Sequence, residues 1–155
     1  MAIPSIESRQ QDFDKNQELL RASRGTKKRG ELAELAFIYK AASLGFAVAR
    51  PYGDSDRYDF IVHSGQHFWR VQVKSSTVLR YGRYVVNAQR NVYRHALPYT
   101  AAEIDFLVAH IVPEDAWFVI PVQAFAPRTT IRVFPRDDGR SGRYGKYREA
   151  WCLMG

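Results

Sequence analysis

A chain of 155 residues with 46% hydrophobic and 14% aromatic residues is long enough to bury one core and too apolar to be mainly disordered. Its 23 basic against 16 acidic residues leave a net charge of +7, a balance that points to polyanionic partners, nucleic acid first and an anionic membrane surface second. The single cysteine, Cys152, excludes an internal disulfide and a thiolate zinc site, and reads as packing rather than as a nucleophile.

The first residues lack a basic stretch followed by an apolar one, and no run of about 18 or more apolar residues occurs. The sequence therefore predicts a soluble, cytoplasmic protein with no membrane partner. Residues 1–29 read as a polar and basic extension, with a short amphipathic run around Phe13, Leu19 and Leu20. It is either an added helix used for an oligomer contact or a solvated segment. Its basic cluster, Lys27, Lys28 and Arg29, is a candidate phosphate contact, the alternative being a solvated charge run.

From Glu31 to Leu44 the residues predict a helix apolar nearly all round, of the kind that packs on a sheet, stopped at Gly45. Glu34 shares a stripe with Ile38 and Ala41 or Ala42, an unusual place for a solvated carboxylate. A pairing with Arg29 or Lys40 is its ordinary explanation. Phe46 to Ala49 reads as a short strand, and Tyr52 to Asp56 as a turn-rich loop whose Asp54 and Asp56 are turn formers.

Arg57 to Ser75 carries the main signal. Two runs rich in β-branched and aromatic residues flank Ser64-Gly65-Gln66-His67, which predicts a hairpin. With Gly65-Gln66 as a two-residue loop, paired residue numbers sum to 131, so Asp59 faces Gln72. Alternation then puts Lys74 on their face and Val71 and Val73 on the other. A cross-strand Asp-Lys salt bridge is the ordinary reading of that convergence; a functional site is the other.

Beyond the hairpin, Ser75 to Tyr99 has no acidic residue and interleaves Arg80, Arg83, Arg90 and Arg94 with Tyr81, Tyr84, Tyr93 and Tyr99. A strand at Val85-Val86 between loops is expected there. The segment is either a nucleic-acid surface or an edge protected by arginines. Ile104 to Val112 and Ala116 to Val122 read as buried strands turned at Pro113-Glu114-Asp115, with Asp105 a strand-end residue. Pro127 to Lys146 reads as an exposed basic loop, after which Tyr147 to Leu153 packs Trp151 back on the domain. The spacing of His63, His67, His95 and His110 does not make a zinc site. Neither a GxxxxGK nor a GxGxxG motif occurs, so no nucleotide cofactor is expected.

Gly30-x-x-x-Glu34 on a helix, Tyr58-Asp59 in one strand and Val71-Gln72-Val73-Lys74 in the next resemble the PD-(D/E)xK nuclease superfamily. The likeness is to its small Gln-x-Lys branch, similar to a cyanobacterial group I intron homing endonuclease, and more distantly to archaeal Holliday-junction resolvases. It spans roughly Gly30 to Phe125. It implies an α/β, restriction-endonuclease-like fold, with a central mixed β-sheet flanked by helices, occupying residues 30–126 and followed by a C-terminal basic loop and packing segment at 127–155. It also implies a Mg²⁺-dependent DNA endonuclease in which Glu34, Asp59, Gln72 and Lys74 form the catalytic set. Asp59, Gln72 and Glu34 are then the metal residues, and Mn²⁺ is an alternative ion. Tyr58 stands where the motif has proline, and Gln72 where it usually has an acid, which weakens the negative field on the metal.

The chemistry fits that implication: hydrolysing a phosphodiester needs a positioned water and neutralised oxygens, which Mg²⁺ on hard oxygen ligands supplies. Lys74 would orient or deprotonate the water, or stabilise the transition state. Cutting both strands implies a homo-oligomer, a dimer or tetramer. The rival readings are a non-catalytic nucleic-acid-binding or interaction domain on the same fold, and a structure-selective junction resolvase.

Overall fold

Strands β2 (Phe60–Ser64) and β3 (His67–Ser76) pair antiparallel in the expected register, from Phe60 opposite Val71 to Ser64 opposite His67. Gly65 turns the chain at φ 57°, the left-handed conformation this short loop demands. The computed structural model describes residues 25–134 and 142–155, together with 5, 7–8, 10–12 and 14–15, of which those between 7 and 15 are helical. Phe13, Leu19 and Leu20 lie outside the described residues.

Helix α1 (Thr26–Ser43) starts five residues before the expected Glu31 and takes in the basic cluster. It ends at Ser43 with Leu44 as its C-cap, and Gly45 follows at φ 90°. Only Ala33, Phe37 and Ala41, four residues apart, are buried, whereas Leu35 and Tyr39 are 63% and 79% exposed. The expectation of a helix apolar all round is thus corrected: one stripe meets the sheet, because a helix laid on a flat face can bury only one.

The central sheet has the order β1-β2-β3-β8-β9, with β1 at Ala47–Ala49, β8 at Phe106–Ile111 and β9 at Ala116–Pro121. Every pairing is antiparallel except β3 with β8, which makes the sheet mixed. The crossover between those parallel strands is built of strands rather than a helix: β4 (Leu79–Arg80), β5 (Arg83–Asn87), β6 (Gln89–Val92) and β7 (His95–Pro98). A short helix α2 (Val122–Phe125) leads to β10 (Thr130–Val133), which pairs with β5 and buries Ile131 and Val133. Part of the expected exposed loop is therefore a strand, formed because Thr-Ile-Arg-Val alternates with the period of a half-buried sheet.

One face of the central sheet is covered by α1 and the C-terminal turn at Trp151, the other by β5 and β10. Phe37 is fully buried on the helix side, stacked on Phe60 at 5.2 Å between centroids and tilted against Trp117 and Trp151. Truncating Phe37 to alanine is expected to cost about 3–5 kcal/mol, seen as a lower urea midpoint at unchanged slope. Cys152, expected to pack, is exposed. No helix among the described residues is long and apolar enough to cross a membrane.

Two hairpins close through two-residue loops with left-handed residues other than glycine. Tyr81 (φ 51°) precedes Gly82 (φ 75°) between β4 and β5, and Tyr93 (φ 47°) precedes Arg94 (φ 68°) between β6 and β7. The twist of the flanking strands selects loops of this hand, normally filled by Asn-Gly. A side chain with Cβ held there costs roughly 1–2 kcal/mol.

Candidate active site

The site forms where β2 stops and β3 continues. Asp59, just before β2, donates its N–H to the Val71 carbonyl at 2.9 Å, one last rung of the ladder. Beyond that rung the Val73 N–H lacks a strand partner, and the Asp59 Oδ2 accepts it at 2.8 Å. The same oxygen accepts the Gln72 Nε2 at 2.7 Å. The cross-strand pair read from the register is a direct contact.

Glu34 and Lys74 line the same cleft, of about 440 Å³, with Asp59, Gln72 and Ser75 among its other walls. Glu34 reaches it from α1, held by the Arg50 guanidinium at 2.8 Å rather than by Arg29 or Lys40. Lys40 instead pairs with Glu149 at 3.8 Å. Asp59 and Lys74 form no ion pair; the Lys74 Nζ sits 5.8 Å from the centre of the buried Tyr99 ring. All four candidate side chains share one cleft.

The electrostatics are those of a strained anion and an under-solvated cation. Burial pushes the Asp59 carboxyl above its ordinary pKa, the Val73 N–H pulls it down, and the nearby Glu34 charge raises it again. Burial lowers the Lys74 pKa, with Asp59 opposing. Tyr99 below Lys74 is raised, first by burial and then by the Asp59 charge.

Oxygens are the donors on offer: the carboxylates of Asp59 and Glu34, the Gln72 side-chain carbonyl once its amide turns over, and the Val73 backbone carbonyl. This is the hard-oxygen chemistry that Mg²⁺ takes while keeping several waters. A cation there would relieve both the desolvation of Asp59 and its repulsion from Glu34. Among the described residues no group of three or more His, Cys, Asp or Glu side chains could hold a metal, so an amide or backbone oxygen would have to complete the set. The donor set fits a divalent cation on those terms.

A family model described as PD-(D/E)XK endonuclease matches residues 24–154. The chain belongs to the PD-(D/E)XK endonuclease family. The solved structure of a bacterial homing endonuclease is similar to this family member at 33% identity and a TM-score of 0.74, covering 84% of this chain and 93% of that one. A Holliday junction resolvase from the archaeal hyperthermophile Archaeoglobus fulgidus shares the fold at 17% identity and a TM-score of 0.51, over 82% of this chain and 96% of that one. No curated protein matches the chain.

The candidate phosphate contacts of this nuclease fall into separate places. Lys27, Lys28 and Arg29 are exposed on the first turn of α1, and Arg29 lines the cleft. Arg80 and Arg83 flank the β4–β5 tip, and Arg94 sits in the β6–β7 loop. Arg90 turns inward to Glu103 at 2.9 Å. Asp105 is a strand-end residue as expected, accepting hydrogen bonds from Arg70 Nε at 3.1 Å and Arg70 N–H at 2.8 Å. His110 stacks on Trp117 at 4.0 Å and contacts Asp115 at 2.9 Å. Sequence reasoning missed Arg50, whose one signal was its place directly after β1. It set Tyr84 and Tyr99 among the tyrosines of a nucleic-acid surface, whereas both are buried and Tyr99 lies against Lys74.

Proposed function

We propose that this PD-(D/E)XK nuclease is a divalent-metal-dependent endonuclease that hydrolyses DNA phosphodiester bonds, with Glu34, Asp59 and Gln72 as metal donors and Lys74 beside the attacking water. One observation carries the reading: the Asp59–Gln72 contact of 2.7 Å opens on a cleft that Glu34 and Lys74 also line. The net charge of +7 and the likeness to a homing endonuclease support DNA as the polyanion. Mg²⁺ or Mn²⁺, when bound, would neutralise phosphate charge and acidify a water.

The protein's own groups do the rest. Asp59 and Glu34 concentrate negative charge in one cleft, where they would hold the cation. Lys74, partly stripped of water, donates from Nζ to the attacking water or to a phosphate oxygen, where a buried ammonium acts more strongly than in solvent. The ring of Tyr99 restrains that ammonium without neutralising it. Cleavage of both strands requires two such clefts, so a homo-oligomer is part of the proposal.

The test is nicking of supercoiled plasmid in Mg²⁺, Mn²⁺ and EDTA. Wild type should nick only with metal, and Lys74→Met should lose about 10²–10⁴-fold in rate while still binding DNA. Equal nicking by both would sink the assignment of Lys74. DNA binding with no nicking by wild type in either metal would leave a non-catalytic binding domain. Preference for four-way junctions over linear duplex would turn the reading to a resolvase.

A further inference from the structure

The β4–β5 hairpin rises from the rim of the candidate active cleft, since Val78 and Val85 at its base line that cleft and are joined by the Val85 N–H to Val78 carbonyl bond at 3.0 Å. Its outer end is Arg80-Tyr81-Gly82-Arg83. Arg80 and Arg83 are direct cross-strand partners, and like charges in that position destabilise a ribbon. Tyr81 is fully exposed and left-handed at the loop position where asparagine would sit without strain. The tip is thus built against its own stability in two independent ways, by its charges and by its backbone.

Behind it, Arg80, Tyr81, Arg83 and Arg132 line a recess of about 400 Å³ with no carboxylate among them. An adjoining recess of about 330 Å³ adds Arg128 and Arg143, again without an acid among the described residues. The Arg83 guanidinium is steadied over the Phe134 ring at 5.0 Å. Among the described residues these exposed guanidinium groups converge without a carboxylate in either lining, a geometry that suits an external anion.

We propose that the β4–β5 ribbon is the sequence-reading element for duplex DNA next to the cut. Tyr81 meets base edges in the major groove, which admits a two-stranded ribbon, and Arg80, Arg83 and Arg132 hold the flanking backbone phosphates. A polyanion removes the repulsion between Arg80 and Arg83, and the exposed tyrosine gains a surface to cover it. The inference rests on the proposal that the substrate is DNA, and it goes beyond that proposal by naming which face reads the sequence.

The experiment measures binding in EDTA, where cleavage is off, to a pool of random-sequence duplexes, with sequencing of the bound fraction. For the double variant Arg80→Gln/Arg132→Gln, binding should weaken evenly across sequences. The log-log salt slope should lose about two units, roughly 0.9 per phosphate contact. Tyr81→Asn should relax the sequence enrichment at one position about fivefold or more. Its Tm should hold or rise, because Asn-Gly suits the loop. Unchanged enrichment and unchanged salt slope in these variants would overturn the inference, as would wild-type binding confined to single strands or absent altogether. Nicking assays run in parallel separate the two proposals. Ribbon-dependent binding without nicking defeats the catalytic reading alone, and nicking with ribbon-independent binding defeats this one alone.

Discussion

Asp59→Asn is expected to lower DNA cleavage by about 10³-fold or more while making the protein more stable. The isosteric amide keeps a carbonyl oxygen for the Val73 N–H and the Gln72 amide, so the local geometry holds. What disappears is a carboxylate that burial and Glu34 both disfavour. A gain of about 1 kcal/mol would follow, a rise of roughly 2–4 °C in Tm for a domain of this size. Because the folded Asp59 pKa is raised above 3.8, the wild type has this carboxyl's full contribution to stability below the unfolded pKa and loses it as pH rises through the folded one. The advantage of Asp59→Asn should therefore be present at neutral pH and vanish in acid. A variant that is less stable than wild type at pH 7, or that cleaves at wild-type rate, would remove Asp59 from the site.

The same balance of local stability against function separates what the sequence made legible from what it hid. The β2–β3 register could be derived because a glycine-led two-residue loop and a period-two pattern leave one pairing, and Asp59 against Gln72 followed from it. The buried β8–β9 pair was legible as two apolar runs with a turn between. The extent of α1 was not, because Lys27, Lys28, Arg29 and Gly30 give no apolar period although the backbone continues through them. Nor was β10, whose four residues are too few to stand out from a basic tail. Arg50 could not be placed at all, and Tyr99 was read on a nucleic-acid surface rather than buried against Lys74, since each meets its partner through tertiary packing rather than through spacing in one element. The tips at Tyr81 and Tyr93 run against local preference, which is why pattern reasoning saw only loops there.

Gln72→Glu is expected to act in opposite directions with and without metal. Gln72 is only 8% exposed, and its amide nitrogen lies 2.7 Å from the Asp59 carboxylate. A glutamate in that position replaces a donor with a second anion at hydrogen-bond distance, with Glu34 a third charge nearby. In EDTA at neutral pH the variant should lose about 3 kcal/mol, the scale of an uncompensated buried charge. Acid should restore stability, because two adjacent carboxyls share a proton there. Added Mg²⁺ or Mn²⁺ should also restore it, since a cation that binds only the folded state contributes about 2.7 kcal/mol at a hundred times its Kd. The third carboxylate should further lower the metal concentration that gives half-maximal nicking. The natural glutamine would then be a compromise, accepting weaker metal affinity to keep the cleft folded without a cation. Thermal scans of wild type and variant across a metal titration decide the matter. Equal metal-induced shifts in both proteins would mean that residue 72 does not face the ion, whatever the cleavage assay reports.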